Sequence, residues 1–470
     1  MLKRGHGAIG CMILASIVLV LFSASCGRSG TSGSGAAGTS ARGEGELREF
    51  EIVAAPTTLP LIDGRQLEVW AYNGQVPGPT LRVRVGDTVR VRFANHLPQP
   101  TTLHWHGIRL PNAMDGVPGV TQPPIALGGS FVYEFVVPDA GTFWFHPHVR
   151  ASEQVERGLF GVLIVEDREP LPFFREVLWV LDDWLLGSDG QLVGDFNTRH
   201  DLAHDGRWGN WITVNGRARA TETVAAGERI RLRMVNVANG RVFSPDLSAF
   251  DASVIAFDGL YTDRPLATGG LEIAPGNRVD VDLSVPVALA GREVEILDRF
   301  TRRASPIATA NVVAEIQPTP VGRLAFRPAS ERWPDAASAR PAFDFRLNAR
   351  AGGPFGIEWM INETPFRHEA GDHGHPASYR LSLDQWAKLR FINESFRLHP
   401  MHLHGQFFYV VARNDQPVDE GHWRDTVLIH PHETVDVALK PRDVGLWMLH
   451  CHILEHAESG MMTLLQVSQQ

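Results

Sequence analysis

Gly86-Asp87-Thr88-Val89-Arg90-Val91-Arg92-Phe93-Ala94-Asn95 reads as a turn feeding a strand. Val89, Val91 and Phe93 alternate with polar neighbours, which gives the strand one apolar face. The pattern returns twice. Gly227-Glu228-Arg229-Ile230-Arg231-Leu232-Arg233-Met234-Val235-Asn236 is a second copy, and Asp384-Gln385-Trp386-Ala387-Lys388-Leu389-Arg390-Phe391-Ile392-Asn393 a third. Each copy predicts a strand with one buried face. The chain has 470 residues, 45 Gly and 31 Pro, and no evident helical heptads, so the repeat implies an all-β protein with room for three domains.

Working outward from each copy, the ninth residue after the closing Asn is His104 in the first, Pro245 in the second and His402 in the third. The middle copy keeps the strand and loses the histidine. His104/His106 and His402/His404 form His-x-His pairs, and a second pair follows in each outer copy: His146/His148 after Gly141-Thr142-Phe143-Trp144-Phe145, and His450/His452 after Gly445-Leu446-Trp447-Met448-Leu449. Residues two apart on a strand share a face, so each pair can aim two imidazoles at one metal centre. Random placement of 20 His predicts about one such pair, whereas the chain has six. The other two, His373/His375 and His430/His432, stand outside the repeat and read as ordinary polar residues.

The third copy carries more. Cys451 replaces Pro147, His399 stands where the first copy has Thr101, and His456 where it has Ser152. His, Cys and His with Met461 further along is the ligand list of a blue-copper electron-transfer site. Eleven donors in all far exceed a closed four-ligand structural zinc site. A passive electron carrier would not need the eight paired histidines.

The run Leu103-His104-Trp105-His106-Gly107, then His146-Pro147-His148, His399-Pro400-Met401-His402-Leu403-His404-Gly405 and His450-Cys451-His452-Ile453-Leu454-Glu455-His456 through Gly460-Met461 resembles the multicopper oxidases. It is most similar to the bacterial three-domain laccase and cuprous-oxidase branch, over roughly residues 48–470. The resemblance implies three consecutive cupredoxin-like Greek-key β-sandwich domains, placed at residues 47–170, 171–320 and 321–470. It implies four coppers. His399, Cys451 and His456 would hold the type 1 ion with Met461 axial, His104 and His402 the type 2 ion, and His106, His146, His148, His404, His450 and His452 the type 3 pair. The trinuclear cluster would then lie between the first and third domains.

The same resemblance implies the reaction: four one-electron oxidations of a phenol, aromatic amine or reduced metal ion, coupled to reduction of dioxygen to two waters. A cuprous-ion oxidase for copper tolerance and a non-enzymatic cupredoxin are the alternatives. Asp115, eleven residues after His104, matches the acidic residue that the bacterial family sets beside the type 2 copper, with general acid-base work as its implied role. A Glu usual after the last type 1 histidine is absent. Ala457 stands there, flanked by Glu455 and Glu458, which leaves that proton path open.

Asp425 reads either as a donor-docking residue near the type 1 site or as a turn residue. Trp208 and Trp211 read as core packing or as a cleft wall. His368, Asp372, His373 and His375 are either extra copper ligands or a solvated loop. The chain has 9 Met and no methionine-rich cluster, and its net charge of -9 offers no basic footprint for nucleic acid.

Lys3 and Arg4 precede an apolar run at residues 9–22 that ends at Ser23-Ala24-Ser25-Cys26. This predicts an export signal of lipoprotein type over residues 1–26, with Cys26 as the lipid anchor of an enzyme in the cell envelope, periplasm or cell surface. A Gly/Ser-rich tether follows at residues 27–46. With Cys11 in the signal and Cys26 acylated, Cys451 has no disulfide partner.

Overall fold

The computed structural model describes residues 45–169, 171–314, 331–367 and 379–469. The expected signal, Cys26 and residues 27–44 of the tether lie outside the described residues, as do His368, Asp372, His373 and His375 and the border expected between residues 320 and 321. Among the described residues no helix is long and apolar enough to cross a membrane.

The three repeat copies form the strands Thr88–Asn95, Arg229–Asn236 and Ala387–Asn393. Each sits in the same place in its own sheet. Thr88–Asn95 pairs in parallel with Leu47–Leu61 and antiparallel with Ser130–Val136. Arg229–Asn236 lies between parallel Arg175–Trp184 and antiparallel Arg278–Ser284, and Ala387–Asn393 between parallel Phe343–Ala351 and antiparallel Thr434–Leu439. A second sheet in each unit completes a sandwich, so the protein is three cupredoxin-like domains in a row.

The repeated Asn does one job three times. Asn95 Oδ1 accepts the Leu97 N–H, Asn236 Oδ1 that of Ala238 and Asn393 Oδ1 that of Ser395, while each Nδ2 donates to carbonyls across the sandwich. A buried polar group needs such partners, and here they pin the loop that leads to the ligand strand.

The middle copy departs from its expected single buried face. All eight residues of Arg229–Asn236 are buried. Arg231 and Arg233 both reach Asp280, and Arg233 also reaches Thr142 of the first domain. The polar face of that strand is buried because it is a domain interface, which alternation cannot distinguish from a solvated face. One apolar cluster runs from Ile52 and Trp105 of the first domain to Trp447 and Val467 of the third and takes in Val242 and Ala274 of the middle one, and Asn112 bonds the backbone of Leu446 directly across the outer domains.

Candidate metal centre

Strand register assembles the imidazoles. His104 pairs with His146 on adjacent strands, and His402 with His450. Each outer domain therefore presents a layer of four histidines, and the layers face one another across the interface. His104 and His404 stack at 3.9 Å between ring centroids, and His106 and His402 at 3.8 Å. Two triads emerge. His148, His404 and His450 have centroids 5.0 to 5.1 Å apart. His106, His146 and His452 are 4.9 to 5.8 Å apart, leaving His104 and His402 at 6.1 Å as the remaining couple.

Six of the eight rings are held by one nitrogen and present the other. Nδ1 of His104 bonds the Asp115 carbonyl at 2.7 Å, that of His146 the Pro147 carbonyl at 2.9 Å, that of His402 the Asp425 carbonyl at 3.0 Å and that of His450 the Cys451 carbonyl at 2.8 Å. His404 Nδ1 donates to Asp115 Oδ2 at 2.8 Å, and His106 Nε2 to Asp425 Oδ1 at 3.2 Å. The opposite nitrogens, Nε2 of His104, His146, His148 and His402 and Nδ1 of His106, are buried with no hydrogen-bond partner, as are both nitrogens of His452. Orphaned buried acceptors cost stability. Such nitrogens gathered from six rings in one buried cluster fit metal ions, and carbonyls or carboxylates behind ligating histidines are the usual means of fixing tautomer and ring orientation. Burial holds His106, His146, His148, His404, His450 and His452 well below the usual imidazole range, so they are neutral and able to ligate.

A separate set lies on the other face of the strand Gly445–Cys451. Cys451 Sγ is 3.6 Å from His399 Nδ1 and 3.9 Å from His456 Nδ1, and these two nitrogens are 3.3 Å apart. Burial pushes the Cys451 thiol up and His456 down to about 3. Three donors converge with no proton shared comfortably among them, the chemistry of a soft metal site. Met461 is buried beside them, its carbonyl accepting the Cys451 N–H. Because side chains alternate along a strand, Cys451 faces this set while His450 and His452 face the eight-imidazole cluster.

The histidines outside the repeat stay outside. His430 pairs with Glu272, and His432 packs on Phe396. Trp208 and Trp211 lie under Arg241 and Arg65, a packing use. Asp425 does not face the type 1 set, which corrects the donor-docking reading. It is buried between His106, His402 and Arg278. Glu458 accepts from Ser152 N and Oγ, and Glu455 from Asn239 and the Arg207 N–H, so the helix Leu454–Glu458 that carries His456 is tied to both other domains.

Sequence reading missed the part played by the middle domain. Its loop at residues 275–278 reaches the cluster: a Cβ on Gly276 would stand 2.9 Å from His452 Cδ2 and 3.0 Å from His106 Cε1. No ligand-type residue marks that loop. Its available signal was the Arg of an otherwise alternating strand.

Fold and donor set together define a copper-dependent oxidoreductase that uses dioxygen. Models of the multicopper oxidase family match residues 54–170, 175–287 and 355–470. The chain is 30% identical to "Multicopper oxidase MmcO" of Mycobacterium tuberculosis over 98% of its own length and 96% of that protein's, and 25% identical to a "Copper resistance protein A homolog" of Pseudomonas syringae pv. tomato over 90% and 92%. Among solved structures it resembles multi-copper oxidases of Pseudomonas thermotolerans (TM-score 0.79, 33% identity, 90% of this chain and 99% of that one) and Pseudomonas parafulva (0.78, 34%, 89% and 100%). The chain belongs to the multicopper oxidase family, in its bacterial branch, and its cofactor is copper.

Proposed function

We propose that this protein is a laccase-type oxidase that takes electrons singly from a phenolic or aromatic donor or a reduced metal ion and delivers four of them to dioxygen, forming two waters. The observation that carries the reading is the pairing of one His-Cys-His set with eight convergent imidazoles through the two faces of a single strand. His399, Cys451, His456 and Met461 would hold the type 1 copper, and His104 and His402 the type 2 ion. His106, His146 and His452 would hold one type 3 ion, and His148, His404 and His450 the other. Copper in these places supplies the one-electron redox chemistry and the reduction of dioxygen.

The chain's own residues do the rest. Cys451 and its neighbours His450 and His452 give the donor side a short covalent link to the cluster side. Asp115 holds two cluster histidines at once, His104 through its carbonyl and His404 through Oδ2, and its carboxyl group would relay protons, taking each up from water and passing it on as dioxygen is reduced. Burial of all eight imidazoles excludes bulk water from the place where charge changes. An export signal and a lipid-anchored Cys26 would set this chemistry at the cell envelope.

Oxygen uptake by copper-loaded protein, with a phenol, a cuprous salt and a manganous salt in parallel, tests the reading. The expected result is four donor equivalents per dioxygen with no peroxide released. Replacing Cys451 with Ser should abolish the blue absorbance and donor oxidation together, and turnover retained in C451S would refute the electron route.

A further inference from the structure

The mononuclear set is sealed by a segment of the middle domain. His399 and His456 are fully buried, and Trp359 lies over both rings, at 4.9 and 4.1 Å. His399 Nε2 meets Ser395 Oγ at 2.9 Å, and His456 Nε2 donates to the His204 carbonyl at 2.7 Å. Two further bonds clamp the same segment: Trp359 Nε1 donates to the Leu202 carbonyl, and the Leu398 N–H to Asp205 Oδ1. Clefts of about 580 Å³ beside Trp386 and Trp423, and about 440 Å³ beside Arg413 and His422, do not border either ligand histidine.

The outer surface of the seal carries two imidazoles. His200, in the short helix Arg199–Ala203, and His204, its C-cap, are exposed with ring centroids 4.1 Å apart. His204 Nδ1 bonds the His200 carbonyl at 2.8 Å, which leaves its Nε2 toward solvent, and neither ring nitrogen of His200 is bonded to a described residue. A Thr198/Asp201 capping box fixes the start of this turn, so the backbone under the pair is ordered.

We propose that His200 and His204 are the docking site of a cuprous-ion donor, and that its electron enters through the His204 backbone carbonyl and the hydrogen bond to His456 Nε2. The proposal rests on the oxidase reading above and names the donor class for it. Metal-imidazole bonds are about 2 Å long, so two imidazoles one helical turn apart can hold a two-coordinate ion after a small rotation of exposed side chains. Imidazole suits copper, whereas manganous and other hard ions require several oxygens. Two ligands bind loosely enough to release product. The docked ion gives up one electron and leaves as the cupric ion, with no bond to hydrogen broken. Dioxygen is the final oxidant.

The test uses copper-loaded full-length protein and silver(I), a redox-inert mimic of the cuprous ion. The double variant His200→Ala/His204→Ala should bind one silver ion fewer than wild type. Its KM for cuprous ion should rise at least tenfold while the blue band keeps its intensity, and His96→Ala, an exposed histidine elsewhere, should match wild type in all three readings. Unchanged silver stoichiometry, or an equal rise in KM toward a phenol, overturns the proposal. If wild-type protein oxidises neither donor, the oxidase reading itself fails. If it oxidises both and the double variant behaves identically, only the docking site does.

Discussion

Arg278 Nη2 lies 2.6 Å from Asp425 Oδ2, and neither residue has solvent contact worth counting, at 0% and 1% exposure. All five guanidinium N–H groups are used. Nε donates to the Thr142 carbonyl, Nη1 to the Gly276 carbonyl and Asp425 Oδ1, and Nη2 to the Asp258 carbonyl and Asp425 Oδ2. One side chain thus joins the first, middle and third domains, and Asp425 passes the restraint to His106 and His402. Burial raises the Asp425 carboxyl, but Arg278 and His402 more than reverse this and keep it ionised, while burial and that neighbouring charge push Asp258 up.

Replacing Arg278 with Lys keeps the charge and discards the planar fork. An ammonium has three donors for the five acceptors met by the guanidinium, and each hydrogen bond to a charged group left unmade costs roughly 1.5–3 kcal/mol. The expected outcome for R278K is a lower midpoint in urea and loss of cluster copper, seen as a diminished type 2 electron paramagnetic resonance signal, while the blue band persists. Full cluster occupancy with unchanged stability would show that the middle domain does not position the ligands.

Gly276 tests the same wedge by addition instead of removal. Its φ of +89° is a left-handed conformation that costs a side chain about 1–2 kcal/mol, and the new methyl would press on His106 and His452. Gly276→Ala should therefore lower copper content at the cluster more than at the mononuclear site. Metal analysis with absorbance of the blue band separates the two.

The convergence of the outer-domain histidines was legible because its signal is local: His-x-His on an alternating strand is read from three residues, and the repeat supplies register. His104, His146, His402 and His450 therefore fall together as expected. Arg278, Asp258 and Gly276 were not legible, since each acts through residues more than 100 positions away and none lies in a His-x-His motif. Asp425 shows the same limit. Its neighbourhood in sequence pointed to the mononuclear site, and only the register of Thr426–Ile429 against His399–Leu403 brings it under His402. The sealing segment at 202–205 was equally invisible, because its contacts to Trp359, Leu398 and His456 are made largely by backbone carbonyls.

Asp115 separates proton supply from metal binding. Asp115→Asn keeps the backbone carbonyl for His104 and offers His404 Nδ1 a side-chain oxygen, so the ligands should stay in place. What is lost is the ionisable group. Second-sphere changes of this kind cost roughly 10- to 100-fold in activity, and D115N should lose that much in oxygen consumption while retaining all its copper and its blue band. A rate within twofold of wild type would reduce Asp115 to a ligand support.

Acid sensitivity should have an identifiable source away from the metal sites. His422 is buried, its Nδ1–H donating to the Glu420 carbonyl at 2.8 Å and its Nε2 accepting from Arg424. Burial, reinforced by Arg424, lowers His422 to about 3, and Glu420, which burial alone would raise, is held at about 2 by Arg424 and Arg413. Both folded values lie below the unfolded ones, so the unfolded chain takes up protons first and stability falls as pH falls. For His422 the loss begins near pH 6.5 and reaches about 3 kcal/mol at pH 4. Glu420 adds to it below about 4.5. His422→Gln keeps an acceptor for Arg424 without a titrating group, so thermal melts of H422Q from pH 7 to 4 should decline less steeply than wild type. Parallel curves would mean that this cluster, in which His422 packs on Phe257 of the middle domain, does not set the acid limit.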